Sequence, residues 1–141
     1  MKRIPLGILV TAVLALFAPL AAAQIVIVTS ADGRIGELSR QQAEQLYLGR
    51  TRSLPDGTPV ALVDLPAGRV RDRFYEQLTG KNPSQIRAYW SRMVFTGRAL
   101  PPQQAENVRE LGARLMTDPN LIGYLSAADA DPHMKVLLKL P

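Results

Sequence analysis

The chain has no cysteine and only one histidine among its 141 residues. Without cysteine there is no disulfide, no thiolate nucleophile and no lipid-bearing cysteine after a signal peptide. The one histidine, His133, stands in a polar loop near the end of the sequence, and no pair of His or carboxylate residues has the spacing of a metal site. We therefore expect a solvated His133, no metal and no cofactor.

Catalytic motifs and strong charge are also missing. The sequence holds no G-x-S-x-G elbow and no glycine-rich phosphate loop, and its carboxylates are scattered. We assign no catalytic residue and do not expect an enzyme. The formal net charge is only +5, and the basic residues form no stripe with interleaved aromatics, so we expect no nucleic-acid partner.

The first 23 residues have the pattern of a secretory signal peptide. Residues 1–3 are positive at Lys2 and Arg3, residues 4–20 are almost wholly apolar, and residues 21–23 are three alanines. We expect cleavage before Gln24, which would lower the formal net charge to +3. The product, residues 24–141, would be one exported domain, periplasmic or secreted, with no membrane span. A retained membrane anchor is the alternative.

The remaining sequence alternates between strand and helix patterns. Apolar runs of β-branched and aliphatic residues predict four strands, at residues 25–28, 60–63, 121–125 and 136–138. Capping boxes at Ser39 and Asn82, a glycine stop at Gly80 and helical periodicity predict about four helices. The first three begin at Ser39, Arg69 and Pro83, and the last ends near Thr117. This order is typical of an α/β fold in which helices pack on one small mixed sheet.

The third predicted helix carries an apolar stripe that includes the pair Tyr89 and Trp90. The stripe recurs at helical spacing through Ile86, Tyr89, Trp90, Met93 and Val94. Such a pair could form a stacking platform for sugars or bases, but its place in the stripe favours core packing. On the fourth helix we expect Val108, Leu111, Leu115 and Met116 to point inward.

Three arginines, Arg69, Arg71 and Arg73, fall in the first turn of the second predicted helix. Cations oppose the macrodipole there, at a cost of about 0.3–1 kcal/mol each if nothing compensates them. Asp72 and Glu76 can offset part of this cost as neighbouring ion pairs. A bound anion would offset it more directly, because unpaired backbone N–H groups point the same way. A solvated basic cap and an anion site both remain open.

Candidate ligand-binding residues follow from this pattern. Gly68, Arg69 and Arg71 could bind an oxyanion, since guanidinium groups suit its geometry. Ser30 follows the first strand and could add a hydroxyl at the carboxyl edge of the sheet. The twelve arginines against three lysines after residue 23 agree with this reading, although codon usage would give the same bias.

The ordered set of motifs from Ile25 to Ser126 resembles a known family. The segments LSRQQAEQLYLGRTRSLPDGTPVALVD, RVRDRFYEQLTG, YWSRMVFTG and NLIGYLS are similar to the substrate-binding component of phosphate ABC transporters, and most of all to small exported proteins of that type. The resemblance implies a periplasmic-binding-protein-like (type II) fold. Because 118 residues supply about one lobe, it implies a single-lobe protein.

The resemblance also implies a function. It suggests an exported, non-enzymatic module that binds phosphate or a similar oxyanion, delivered to an ABC permease or another envelope partner. Family members place a hydroxyl-rich loop before the second helix, whereas residues 65–71 here have no hydroxyl, so the expected binding is weak. The alternative is an interaction or scaffold protein of the cell envelope that has lost its ligand.

Overall fold

The computed structural model describes residues 24–141, and the predicted signal peptide lies outside that range. Within it the chain forms five strands and four helices. In chain order they are β1 (Ile25–Ser30), α1 (Arg40–Tyr47), β2 (Ala61–Asp64), α2 (Arg69–Thr79), α3 (Pro83–Phe95), β3 (Gln103–Gln104), α4 (Val108–Thr117), β4 (Leu121–Ser126) and β5 (Met134–Leu140). In the described range, every helix is too short or too polar to cross a membrane.

All five strands join one mixed sheet in the order β3-β2-β4-β1-β5. β1 is antiparallel to β4 and to β5, whereas β2 is parallel to β3 and to β4. Every residue of β1 is buried, as its continuous apolar run predicts for a strand inside a sheet. The predicted α/β class is therefore confirmed, and its strand directions decide which residues meet at each edge.

Capping side chains fix the starts of α1 and α3 as the sequence predicts. Ser39 accepts a hydrogen bond from the Gln42 backbone, and the Gln42 side chain accepts one from the Ser39 backbone. Asn82 and Gln85 repeat this capping box at α3. α2 ends at Gly80 in the left-handed conformation that glycine adopts without strain.

Successive residues of β4 show which helices cover each face of the sheet. The Tyr124 ring stacks on Phe74 of α2, with ring centroids 3.6 Å apart. A side chain added at the neighbouring Gly123 would meet Leu111 of α4 and Val63 of β2. Because adjacent strand residues point to opposite faces, α2 and α4 lie on opposite sides of the sheet. Asp64 continues the β2–β4 register to the level of Tyr124 and shares its face.

Two side chains predicted to point inward are exposed, and one strand was not predicted. Val94 is 48% exposed and Met116 is 63% exposed, because each lies near the end of its helix, where the neighbouring elements no longer cover it. The two residues of β3 follow Pro101–Pro102 and lie outside the four predicted strands. Otherwise the inward-pointing set is confirmed for Ile86, Trp90, Leu111 and Leu115, which are buried.

Candidate functional site

A buried carboxylate, Asp64, occupies the carboxyl end of β2. It is 2% exposed and lies beneath the first turns of α2. The sheet register brings Tyr124 beside it, and α2 brings Tyr75 and Arg71 over it. A buried charge is tolerated only when it is paired and hydrogen-bonded, so the contacts of Asp64 determine what this end of the sheet can do.

Four groups surround the Asp64 carboxylate. The Tyr75 hydroxyl donates to Oδ2 at 2.7 Å, and the Leu65 backbone N–H donates to Oδ1 at 2.8 Å. The Tyr124 hydroxyl also donates to Oδ1 and accepts from the Leu65 N–H at 3.3 Å. Arg71 Nε lies 3.7 Å from Oδ2. The carboxylate is therefore satisfied from inside the protein. We call Asp64, Arg71, Tyr75 and Tyr124 the Asp64 cluster.

The tyrosines of this region stay protonated. Burial first, and then the charge of Asp64, raises the pKa of Tyr75 and of Tyr124 far above the ordinary 10.0. The same two causes raise the pKa of Tyr47, whose hydroxyl donates to Val63 O at 3.2 Å. All three phenols therefore remain protonated hydrogen-bond donors at neutral pH, and those of Tyr75 and Tyr124 donate to the buried carboxylate.

Arg71, one of the predicted ligand residues, is engaged by this cluster. Its side chain is 21% exposed, and its guanidinium carbon lies 5.7 Å from the Tyr75 ring centre, within cation–π distance. Asp64 therefore compensates part of the positive charge at the start of α2. From the sequence, solvation and a bound anion were the two possible sources of this compensation. The charge of Arg71 is thus shared with an internal partner before any ligand arrives.

The start of α2 presents backbone donors. Gly68 is the N-cap in an extended conformation and makes no side-chain capping bond. The first intrahelical bond is Asp72 N–H to Gly68 O at 3.0 Å, so the N–H groups of Arg69, Val70 and Arg71 have no partner within the helix. Arg69 is exposed, and a hollow of about 80 Å³ borders Arg71.

Ser30 does not join these residues. It ends β1, which runs antiparallel to β4, whereas β2 is parallel to β4. The carboxyl end of β1 and the carboxyl end of β2, where Asp64 lies, are therefore at opposite ends of the sheet's strands. The Ser30 side chain is buried there and accepts the Asp32 N–H at 3.3 Å. The structure thus brings Gly68, Arg69 and Arg71 together but separates Ser30 from them.

Sequence reasoning missed Asp64. Its only local signal is that an acidic residue ends an apolar strand, in Val63-Asp64-Leu65. A carboxylate at a strand end is common on surfaces, and its burial depends on Tyr75 and Tyr124, which come 11 and 60 residues later. His133 is exposed as expected, with 69% of its side chain accessible.

A second surface lies next to the Asp64 cluster, between α3 and the ends of β2 and β3. It is a groove of about 850 Å³. We call it the α3 groove, and its lining includes Asp64, Arg71, Arg87, Trp90, Phe95 and Gln104. Trp90 forms its buried floor, whereas Phe95 is 92% exposed at its rim. Tyr89 is half-buried and donates to Leu48 O at 2.6 Å, so the predicted packing role of this pair is confirmed.

Comparison with known proteins identifies the fold of the chain but no family. No family model matches the chain, and no curated protein matches it. Among solved structures, it is similar to an ABC-type phosphate transport receptor from Vibrio cholerae, with a TM-score of 0.62 and 16% identity. It is also similar to PstS from Borrelia burgdorferi, with a TM-score of 0.60 and 11% identity.

The match covers most of this chain but less than half of the structures it resembles. It extends over 82% of this chain, and over 46% and 47% of those two chains. At this level of identity the similarity shows the fold alone. The chain therefore has the α/β fold of a single lobe of phosphate-receptor-type substrate-binding proteins, as its motifs predict.

Proposed function

We propose that this protein is an exported, non-enzymatic, solute-binding-like module that binds a small oxyanion such as phosphate weakly at the start of α2. The observation that carries the proposal is the composition of that helix start. Backbone N–H groups without intrahelical partners, a cap residue without a side chain and exposed arginine charge coincide there. The fold similarity to phosphate receptors supports the same chemistry.

The physical basis is the field of the helix. Its N-terminus carries about half a positive charge, and the unfilled N–H groups of Arg69, Val70 and Arg71 provide donors. Arg69 adds a full charge at the exposed rim. An anion would compensate the unfavourable placement of these cations at the helix start. A chloride-sized or planar carboxylate ligand would fill fewer donors than a tetrahedral oxyanion, so we expect phosphate and sulfate to bind best.

Two features limit the affinity. Asp64 lies 3.7 Å from Arg71 and withdraws part of its charge from any ligand. The helix start is also open to water, where charge–charge interactions are several-fold weaker than in a closed cleft. We expect a dissociation constant near 1 mM, equivalent to about −4 kcal/mol. The partner that would receive a delivered solute, such as an ABC permease, belongs to the same proposal.

A phosphate titration followed by amide NMR tests the site. At constant ionic strength, phosphate should shift the amide signals of residues 68–71, whereas chloride should not. Arg69→Gln should weaken binding by roughly three- to tenfold, as expected for one lost charge contact near a surface. Arg109→Gln is the matched control, because Arg109 also lies in the first turn of a helix, α4, but Asn107 caps that turn through its side chain.

The titration can also reject the proposal. It does so if the amides of residues 68–71 show no saturable shift with millimolar phosphate, or if Arg69→Gln and Arg109→Gln lose affinity equally. Calorimetry with phosphate and sulfate provides the second readout, since a true site gives saturable heat for both anions and none for chloride.

One observation favours the second candidate function, an interaction or scaffold protein of the envelope that has lost its ligand. Large apolar side chains are exposed beside the Asp64 cluster, at Val94 (48%) and Phe95 (92%). Exposed apolar clusters with a polar rim mark surfaces that bind other proteins. This observation does not depend on anion binding.

A further inference from the structure

The outer end of α3 exposes large apolar side chains that contribute little to the stability of the fold. Phe95, the last residue of the helix, is 92% exposed, and Val94 and Leu100 on either side of it are also exposed. Burial of a phenylalanine side chain stabilises a fold, and this fold gains almost none of that stabilisation from Phe95. Aromatic side chains of this kind are the usual anchors of protein interfaces.

The same region is strongly one-sided in charge. From Gln77 to Ala105 the sequence contains no Asp or Glu, but it contains Lys81, Arg87, Arg92 and Arg98. None of these four cations forms an ion pair with any residue in the part of the chain that the structure describes. Of these cations Arg87 lines the α3 groove, whose other charged lining residues, Asp64 and Arg71, pair with each other. The groove therefore presents the charge of Arg87 beside the exposed Phe95 ring.

The shape of the region is concave. On α3, Arg87, Ser91, Val94 and Phe95 follow one another along one face and form one wall of the α3 groove. The opposite wall comes from Pro101–Pro102 and Gln104 near the edge strand of the sheet. A groove of about 850 Å³ accommodates a few side chains of an extended or helical segment. A flat lipid surface would touch only its rim.

We propose that an acidic segment of a partner protein, with an aromatic or aliphatic anchor, binds in the α3 groove. The anchor packs on Phe95, Val94 and the buried floor at Trp90, and the acidic side chains pair with Arg87. This goes beyond oxyanion binding, because it uses α3 and needs no anion at the start of α2.

A second copy of the chain fits the groove less well. In a twofold dimer the same surface meets itself, so a positive surface that includes Arg87 would meet a surface of the same sign. Like charges across an interface cost free energy and suppress that pairing. An acidic partner removes this repulsion and gains attraction from the same residues.

Selection from a library of short random peptides against the purified protein tests the proposal. Acidic peptides with at least one Phe, Trp, Leu or Ile should be enriched, because both the charge and the apolar rim select for them. The affinity of the best peptide, measured by fluorescence anisotropy, should fall as salt rises. It should fall by at least roughly tenfold in Phe95→Ala, the range expected for a central interface anchor.

Met116→Ala is the matched control. Met116 is also an exposed apolar residue, at 63%, but it lies on α4 beside a separate hollow that includes His133. Its replacement should leave the affinity unchanged. A charge reversal in the groove, Arg87→Glu, should weaken the binding of an acidic peptide but not that of a neutral peptide with the same anchor.

Several results would overturn the proposal. The selection could enrich no peptides, or neutral and basic ones, or peptides whose affinity falls equally in the Met116 control. Binding to phosphatidylglycerol vesicles without peptide binding would assign the surface to a membrane. A dimer in sedimentation experiments that Phe95→Ala dissociates would assign it to a second copy. Loss of phosphate binding alone would leave the peptide result intact, so the two proposals fail separately.

Discussion

Phe74 and Phe95 are the same residue type in two neighbouring regions, and the fold treats them in opposite ways. Phe74 is fully buried and stacks on Tyr124 beside the Asp64 cluster. Phe95 is 92% exposed at the rim of the α3 groove. In the first region each polar group of Asp64 has an internal partner. In the second, the Phe95 ring is left uncovered, and Arg87 forms no ion pair within the described chain. The buried groups of the first region stabilise the fold, whereas we attribute the exposed groups of the second region to binding.

The largest contrast comes from removing each ring. Phe74→Ala should lower the free energy of unfolding by about 3–5 kcal/mol, because it leaves a cavity between α2 and the sheet. Phe95→Ala should change it by less than about 0.5 kcal/mol, as surface substitutions usually do. Urea unfolding followed by circular dichroism measures both values. Equal losses for the two variants would break the comparison.

Alkaline pH should weaken the Asp64 region selectively. Tyr47, Tyr75 and Tyr124 have folded-state pKa values raised above 10.0 by burial and by the charge of Asp64. Below pH 10 both states keep these protons and stability does not depend on them. Above it the unfolded chain ionises first, so stability falls by about 1.4 kcal/mol per pH unit for each tyrosine.

Absorbance at 295 nm with parallel urea titrations checks this pH dependence. The three buried tyrosines should ionise only as the protein unfolds. In Tyr124→Phe the free energy of unfolding should fall less steeply above pH 10, because only two of the three buried tyrosines remain to ionise. Ionisation of all tyrosines near pH 10 in a folded protein would contradict the burial that we describe.

Asp64→Asn tests whether the charge of the carboxylate matters apart from its shape. The amide keeps one acceptor but loses the charged bonds to Tyr75, Tyr124 and Arg71, and we expect a loss of about 2–3 kcal/mol. Urea unfolding of Asp64→Asn and of the double variant Asp64→Asn/Arg71→Gln measures this coupling. The double variant should cost less than the sum of its single changes, and strict additivity would show that the two residues do not interact.

The smallest effects separate the two arginines at the start of α2. Arg71 is partly buried against Asp64 and Tyr75, so Arg71→Gln should cost about 1–2 kcal/mol. Arg69 is exposed, and Arg69→Gln should change stability by less than about 0.5 kcal/mol. Thermal unfolding of the two variants without phosphate provides the comparison. A larger loss of stability in Arg69→Gln than in Arg71→Gln would mean that Arg71 is wrongly assigned to the Asp64 cluster.

The sequence predicts those features of the fold that depend on near neighbours. The capping boxes at Ser39 and Asn82 and the stop at Gly80 involve residues a few positions apart, and all three are confirmed. The mixed α/β fold followed from the order of the motifs. Val94 shows the limit of periodicity, which gives the face of a helix but not how far the neighbouring elements extend along it.

The candidate site depends on contacts that local patterns do not contain. Asp64 meets Tyr75 and Tyr124 only because of the register between β2 and β4. Ser30 lies at the far edge because β1 runs antiparallel to β4, and strand direction is decided by the whole topology. The sequence therefore located the start of α2 correctly, but not the internal carboxylate that engages Arg71.

The most direct test of the central claim is the titration of an acidic, apolar-anchored peptide into the unmodified protein and into Phe95→Ala. We predict that the affinity falls by at least roughly tenfold while the variant remains as stable as the unmodified protein. An affinity that does not change in Phe95→Ala would contradict the account, because the exposed end of α3 would then serve neither folding nor binding.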